Sequence, residues 1–192
     1  MHFSLPTAGA LRAVTIGFFV ALLALGSPVL AQQRLGPFTQ PPRSVRSRSI
    51  DQQHVRLEFR FDWDQQKVQA KAIHTLALVA PKSTLELDAA EMQVTRATLL
   101  LEGQEPAKLT HRQQGNQLAI ELGRELPANQ KFQLAIDYTI DKPKHGFHFV
   151  VPDESEPNQP RMIWTQSEPE YARYWFPCFD APNDRLTSEI IA

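Results

Sequence analysis

From residue 55 the chain alternates apolar and polar positions. Val55, Leu57, Phe59, Phe61 and Trp63 face one way, and His54, Arg56, Glu58, Arg60 and Asp62 face the other. This two-residue period is that of a half-buried antiparallel strand. Asp64-Gln65-Gln66 turns the chain, and residues 67–80 return with Val68, Ala70, Ala72, Leu76 and Leu78 in phase. His74 interrupts that row as its one polar member. Shorter runs follow: TLELD from 84, VTRATLLLE from 94, KLTHRQ from 108, QLAIEL from 117 and KFQLAIDYTI over 131–140. Gly115-Asn116 supplies a hairpin-turn signal between KLTHRQ and QLAIEL. No stretch of about ten or more residues after position 50 carries a helical period. The pattern predicts an all-β domain, an antiparallel β-sandwich of about eight strands with turns about every 8 to 12 residues.

After Ile140 the alternation loosens. KPKHGFHFVV over 142–151 predicts a short strand, PDESEPNQP over 152–160 an exposed acidic loop, and RMIWTQ over 161–166 another strand. A further strand begins in LTSEIIA, where the sequence stops. A strand begun at the last residues predicts that the domain, read as residues 51–192, is incomplete at its C-terminal end.

The N-terminal residues follow a different pattern. Arg12 precedes an uncharged apolar run from Ala13 to Leu25, Gly26-Ser27-Pro28 breaks it, and Val29-Leu30-Ala31 offers small residues at the cleavage positions. Residues 1–31 therefore read as a secretory signal peptide cleaved after Ala31, with no stable membrane insertion, because the run is too short to span a bilayer comfortably. Export to the periplasm or the extracellular space follows from it. Residues 32–50 hold four arginines, three prolines and no acid, the composition of a disordered leader.

Charge then excludes a class of partners. Five of the 20 Lys and Arg residues lie before position 51 and none of the 21 Asp and Glu residues does, so residues 51–192 carry 15 cations against 21 anions. An acidic domain is a poor nucleic-acid surface. The single cysteine, Cys178, excludes an internal disulfide; set between Pro177 and Phe179, it reads as a buried, inert thiol. His145 and His148 stand three apart, a spacing that puts them on opposite faces of a strand and so speaks against a metal pair.

One segment departs from the alternating pattern. RMIWTQSEPEYARYWFPCFDAPNDR, residues 161–185, gathers Trp164, Tyr171, Tyr174, Trp175, Phe176 and Phe179 among Glu168, Glu170, Asp180 and Asp184. From composition alone the aromatics are core packing and Glu168 is a solvated loop acid. The wider stretch WTQSEPEYARYWFPCFDAPNDRLTSEIIA, however, resembles the end of the N-terminal β-domain of the aminopeptidase N family of zinc metallopeptidases. There a Thr-Gln dipeptide ends a strand, a segment rich in Ala, Arg and aromatics follows, and then Phe-Pro-Cys-x-Asp-x-Pro. HVRLEFRFDWDQQKVQAKAIHTL, LELDAAEMQV and YTIDKPKHGFHFVVP resemble upstream segments of the same domain in the same order.

The resemblance implies a saddle-like β-domain that packs on a downstream thermolysin-like catalytic domain. It also implies that Gln166 and Glu168 contact the N-terminal end of a peptide substrate. A carboxylate near a cationic α-amine selects free peptide N-termini. Zinc and the catalytic residues are implied in the second domain: neither Gly-x-Met-Glu-Asn nor His-Glu-x-x-His occurs among the 192 residues. No catalytic residue, metal ligand or cofactor is assigned to this chain, which is expected to be inactive alone. The alternative function is a secreted, non-catalytic β-module that binds a peptide or protein partner.

Overall fold

The computed structural model describes residues 45–192. The signal-peptide segment and the leader up to residue 44 lie outside the described residues. Eight strands form one sheet: β1 (Ile50–Asp62), β2 (Lys67–Leu78), β3 (Lys82–Asp88), β4 (Gln93–Leu100), β5 (Ala107–Gln114), β6 (Gln117–Leu126), β7 (Lys131–Asp141) and β10 (Thr187–Ile191). Their spatial order is β10-β1-β2-β7-β4-β5-β6-β3. A hairpin of β8 (Phe147–Val150) and β9 (Met162–Thr165) stands apart, and one 3-10 turn covers Ala172–Tyr174.

The sheet curls because β5 changes partners along its length. Ala107–Leu109 pair with β4, whereas Thr110–Gln114 pair with β6. A strand shared between two sheet segments turns the corner that lets both inner faces contribute to one core. That core holds Leu57, Val68, Leu76, Leu85, Leu87, Leu118, Ile120, Leu134, Ile136 and Ile140.

Two bulges account for strand sequence that simple alternation misreads. In β1 the register shifts between Gln52 and His54, so Ile50 and Gln52 are buried on one side of the bulge and Val55, Leu57 and Phe59 on the other. The strand thus begins at Ile50, five residues before the alternation becomes visible. In β4 a shift between Val94 and Arg96 likewise buries Val94 and then Ala97 and Leu99. An extra residue in a strand flips the phase of everything beyond it.

The outer face keeps its polar residues. Glu58, Lys71, Asp137 and Arg96 align across β1, β2, β7 and β4 in one row of alternating charge. An open groove of about 440 Å³ runs over this face, lined by Arg56, Glu58, Arg60, Lys71 and Asp137; mixed charges of this kind mark a solvated surface. At the sheet edge β10 pairs with β1 in parallel, His54 opposite Thr187 through Glu58 opposite Ile191. All other strand pairings here are antiparallel.

Candidate functional site

The aromatic and acidic segment divides into a buried part and an exposed loop. Trp175, Phe176, Cys178 and Phe179 lie in the core. The Tyr138 hydroxyl, also buried, donates to the Trp175 carbonyl at 2.7 Å. The backbone at Cys178 bridges the end of β3: Asp88 N–H donates to the Cys178 carbonyl at 2.7 Å, and Cys178 N–H returns to the Asp88 carbonyl at 3.0 Å. Gln52 serves as a side-chain substitute for a strand partner. Its amide oxygen accepts from Phe179 N–H at 3.0 Å and its amide nitrogen donates to the Phe179 carbonyl at 3.2 Å. Burial, with the Asp180 and Asp88 carboxylates nearby, pushes the Cys178 thiol well up. It stays protonated and has no nucleophilic role.

The exposed loop, residues 166–171, is held at three points. Gln166 N–H donates to the Gly146 carbonyl at 3.0 Å, Tyr171 N–H to the Ser167 carbonyl at 2.9 Å, and the Trp175 indole N–H to Ser167 Oγ at 3.1 Å. Gly146 is required where it stands. Its φ is +76°, and a Cβ there would come within 2.8 Å of the Tyr174 backbone. Trp175 therefore does two jobs, filling the core with its ring and tethering the loop with its nitrogen.

Gln166 and Glu168, the two predicted substrate-binding residues, fall together on this loop, both exposed. The Gln166 amide nitrogen reaches the Glu168 carbonyl at only 3.4 Å. Among the described residues the Glu168 carboxylate has no hydrogen-bond or ion-pair partner, whereas neighbouring Glu170 pairs with Arg173 at 3.2 Å. A tethered loop that presents one carboxylate unpaired among the described residues is the local arrangement a cationic ligand needs.

The two histidines do not share a strand as the spacing argument supposed: His145 precedes β8 and only His148 lies on it. His145 bonds through Nδ1 to Glu91 Oε1 at 2.8 Å and lies 4.7 Å from the Tyr174 ring, while His148 stacks at 3.8 Å on Trp164. Among the described residues no group of three or more His, Cys, Asp or Glu side chains could hold a metal ion, so the residues present do not fit a zinc site. Nor is any described helix long and apolar enough to cross a membrane.

Some residues that build the site escaped the sequence pattern. Asp88 is 3 % exposed and Gln52 1 %. Asp88 ends an apolar run and Gln52 stands at a bulge before the visible alternation, where a polar letter carries no sign of burial. Gly146 had a visible signal, a glycine before an aromatic strand, but its need shows only against Tyr174.

The chain is similar to known proteins over most of its described length. The family model for the Peptidase M1 N-terminal domain matches residues 51–191. Mouse endoplasmic reticulum aminopeptidase 1 is 30 % identical over 109 residues, which cover 53 % of this chain and 12 % of that protein. Zebrafish transcription initiation factor TFIID subunit 2 is 30 % identical over 69 residues, 35 % of this chain and 6 % of that one. The crystal structure of an M1 zinc metallopeptidase mutant from Deinococcus radiodurans superposes with a TM-score of 0.60 at 21 % identity, covering 77 % of this chain and 33 % of that one. The chain thus spans a small part of the curated relatives and about a third of the solved structure. The match over residues 51–191, on a curled all-β fold shared with that structure, places the chain in the M1 peptidase family as its N-terminal domain.

Proposed function

We propose that this domain recognises the free α-amino group of peptides for an exported zinc aminopeptidase whose metal and catalytic residues lie on a further domain. The observation that carries the reading is the Glu168 carboxylate, without a partner among the described residues, on a loop tethered through Gly146, Ser167 and Trp175. When a catalytic domain covers the loop, the carboxylate loses water and favours a bound ammonium, which an internal amide cannot supply. Gln166 offers a donor and an acceptor to the substrate backbone or side chain. Zinc would supply Lewis-acid chemistry in the catalytic domain, and among the described residues of this chain no group of side chains could hold it.

The test is made in the protein joined to its zinc domain. Glu168→Ala lowers kcat/KM for free-amine substrates about 10- to 150-fold, equivalent to about 1.5–3 kcal/mol for a charged hydrogen bond. Glu168→Gln loses somewhat less. N-acetylated substrates are poor for the parent and scarcely worse for Glu168→Ala, since they carry no cation. A loss below about twofold on free amines would make Glu168 a solvated acid and favour the second reading, a non-catalytic module that binds a peptide or protein partner. Similarity to a protein named as a TFIID subunit supports that second reading.

Export rests on the apolar run and the Val29-Leu30-Ala31 site. The secreted product is expected to begin at Gln32, free or cyclised, when its intact mass is measured. A membrane-retained chain that begins near Met1 contradicts cleavage.

A further inference from the structure

The residues just before β1 precede the family-matched stretch 51–191, yet they bind two acids that the fold has taken out of water. Arg46 NH1 donates to both carboxylate oxygens of Asp88, at 2.8 and 2.6 Å, and the Asp88 side chain is 4 % exposed. The same guanidinium lies 4.6 Å from the Phe179 ring centroid, and the Arg46 carbonyl accepts from the Asn183 side chain at 3.0 Å. Arg48 pairs with Asp184 at 2.8 Å, a side chain 2 % exposed. The Ser49 carbonyl accepts from Val79 N–H at 3.1 Å. Residues 46–49 are thus a strap lying over the C-terminal segment.

The contacts run on from the strap towards the exposed loop. Asp88 also accepts from Asp180 N–H at 2.9 Å. Asp180 in turn accepts from Arg173 N–H at 3.2 Å and from Arg173 Nε at 2.8 Å. Arg173 is the middle residue of the 3-10 turn that follows Tyr171, and its own carbonyl accepts from Ala90 N–H at 2.8 Å. Three guanidinium groups therefore balance Asp88, Asp180, Asp184 and Glu170, and the strap provides two of them.

We infer that Arg46 is a positioning residue for the substrate loop, acting through Asp88, Asp180 and Arg173. Without it, the nearly fully buried Asp88 carboxylate loses the guanidinium that pairs with it. A buried carboxylate stripped of its partner is strongly disfavoured. The least costly relief is for residues 173–184 to lift from the sheet and admit water, which frees Arg173 and with it the loop's C-terminal end. Trimming of the leader beyond Arg46 has the same effect, so a functional N-terminus must lie before it.

The consequence for the loop rests on the reading of Gln166 and Glu168 as an amine-binding pair; the strap itself does not. Amide hydrogen exchange of the full chain therefore separates the two, because it needs no ligand. In Arg46→Ala, the amides of Arg173, Cys178 and Asp180 exchange at least about tenfold faster, the signature of a local opening, while those of β2 and β7 are unchanged. Arg46→Lys falls between, since an ammonium keeps the charge but lacks the two-point fork and the flat face set against Phe179. Unchanged exchange at residues 173–180 in Arg46→Ala overturns the proposal. So does an increase spread through β2 and β7, or equal effects of the Ala and Lys variants. Should Arg46→Ala fail to fold, Arg46→Lys decides alone: faster exchange confined to residues 173–184 supports the strap, and any other result overturns it.

Discussion

Acidification from pH 7 to pH 4 destabilises the domain by about 3 kcal/mol more than it destabilises a His74→Leu variant. His74 is fully buried in β2, stacked on Phe176 with ring centroids 6.3 Å apart. Neither ring nitrogen has a hydrogen-bond partner of good geometry. Burial lowers its pKa from 6.5 to about 4, opposed only in part by the Pro177 backbone. The folded chain thus keeps His74 neutral where the unfolded chain takes up a proton. Stability is untouched above pH 6.5, falls as the pH drops below 6.5, and levels off near pH 4. The interval of about 2.5 pH units at 1.36 kcal/mol each yields the figure of about 3 kcal/mol. At pH 7 the leucine variant is at least as stable as the parent, because it removes two unsatisfied nitrogens and keeps an apolar filling. Urea unfolding midpoints at pH 4 to 8 for both proteins check this. Carboxylates contribute equally to the two curves, so only the difference counts; parallel curves would show that His74 is not neutral inside the fold.

Gly146→Ala is expected to lower stability by about 2–4 kcal/mol, through left-handed backbone strain added to overpacking. Its φ of +76° disfavours any Cβ, and the added carbon would stand 2.8 Å from the carbonyl carbon and oxygen of Tyr174. Backbone cannot rotate away as a side chain does, so the β8 entry or the 3-10 turn must shift. Either movement stretches the Gly146 carbonyl bond to Gln166 N–H and displaces the loop. Gly115→Ala is the control. It has a φ of +57° but nothing within 4 Å of the added carbon, so it reports backbone strain alone and costs about 1 kcal/mol. Thermal unfolding of the two variants separates strain from steric overlap, and equal losses would refute a close approach at Tyr174.

Much of this architecture was legible because strands advertise themselves when one face is buried and the other wet. β2 and β7 keep a strict two-residue period over most of their length, since each lies between two partners in the sheet. The Gly115-Asn116 turn sits where expected, with Gln114 opposite Gln117. β1 was misplaced at its start because a bulge is one residue inserted into a rhythm. The segment read as leader up to Ile50 contains Arg46, whose pairing with Asp88 spans 42 residues; composition describes a segment but not what it touches. β10 shows why pairing direction is not a local property. All five of its residues are exposed, and its parallel match to β1 follows from where the chain arrives after residue 186, not from its own pattern.

The aromatic and acidic segment divides along the same line. Its identity as a specific element lay in the residues themselves, because the order Thr165-Gln166, then Phe176-Pro177-Cys178, then Asp180 and Pro182 is a linear signature that needs no fold to be read. Fold class followed from alternation for a similar reason: burial of one strand face is imposed residue by residue. Only the tertiary structure decided which acids work as partners and which stay free. Asp88, Asp180, Asp184, Glu168 and Glu170 are alike as letters. Four of them meet guanidinium groups delivered from residues 46, 48 and 173, and Glu168 meets none among the described residues. A charge's role depends on the distance to its partner and the water between them, and both are set by chain segments up to 136 residues apart.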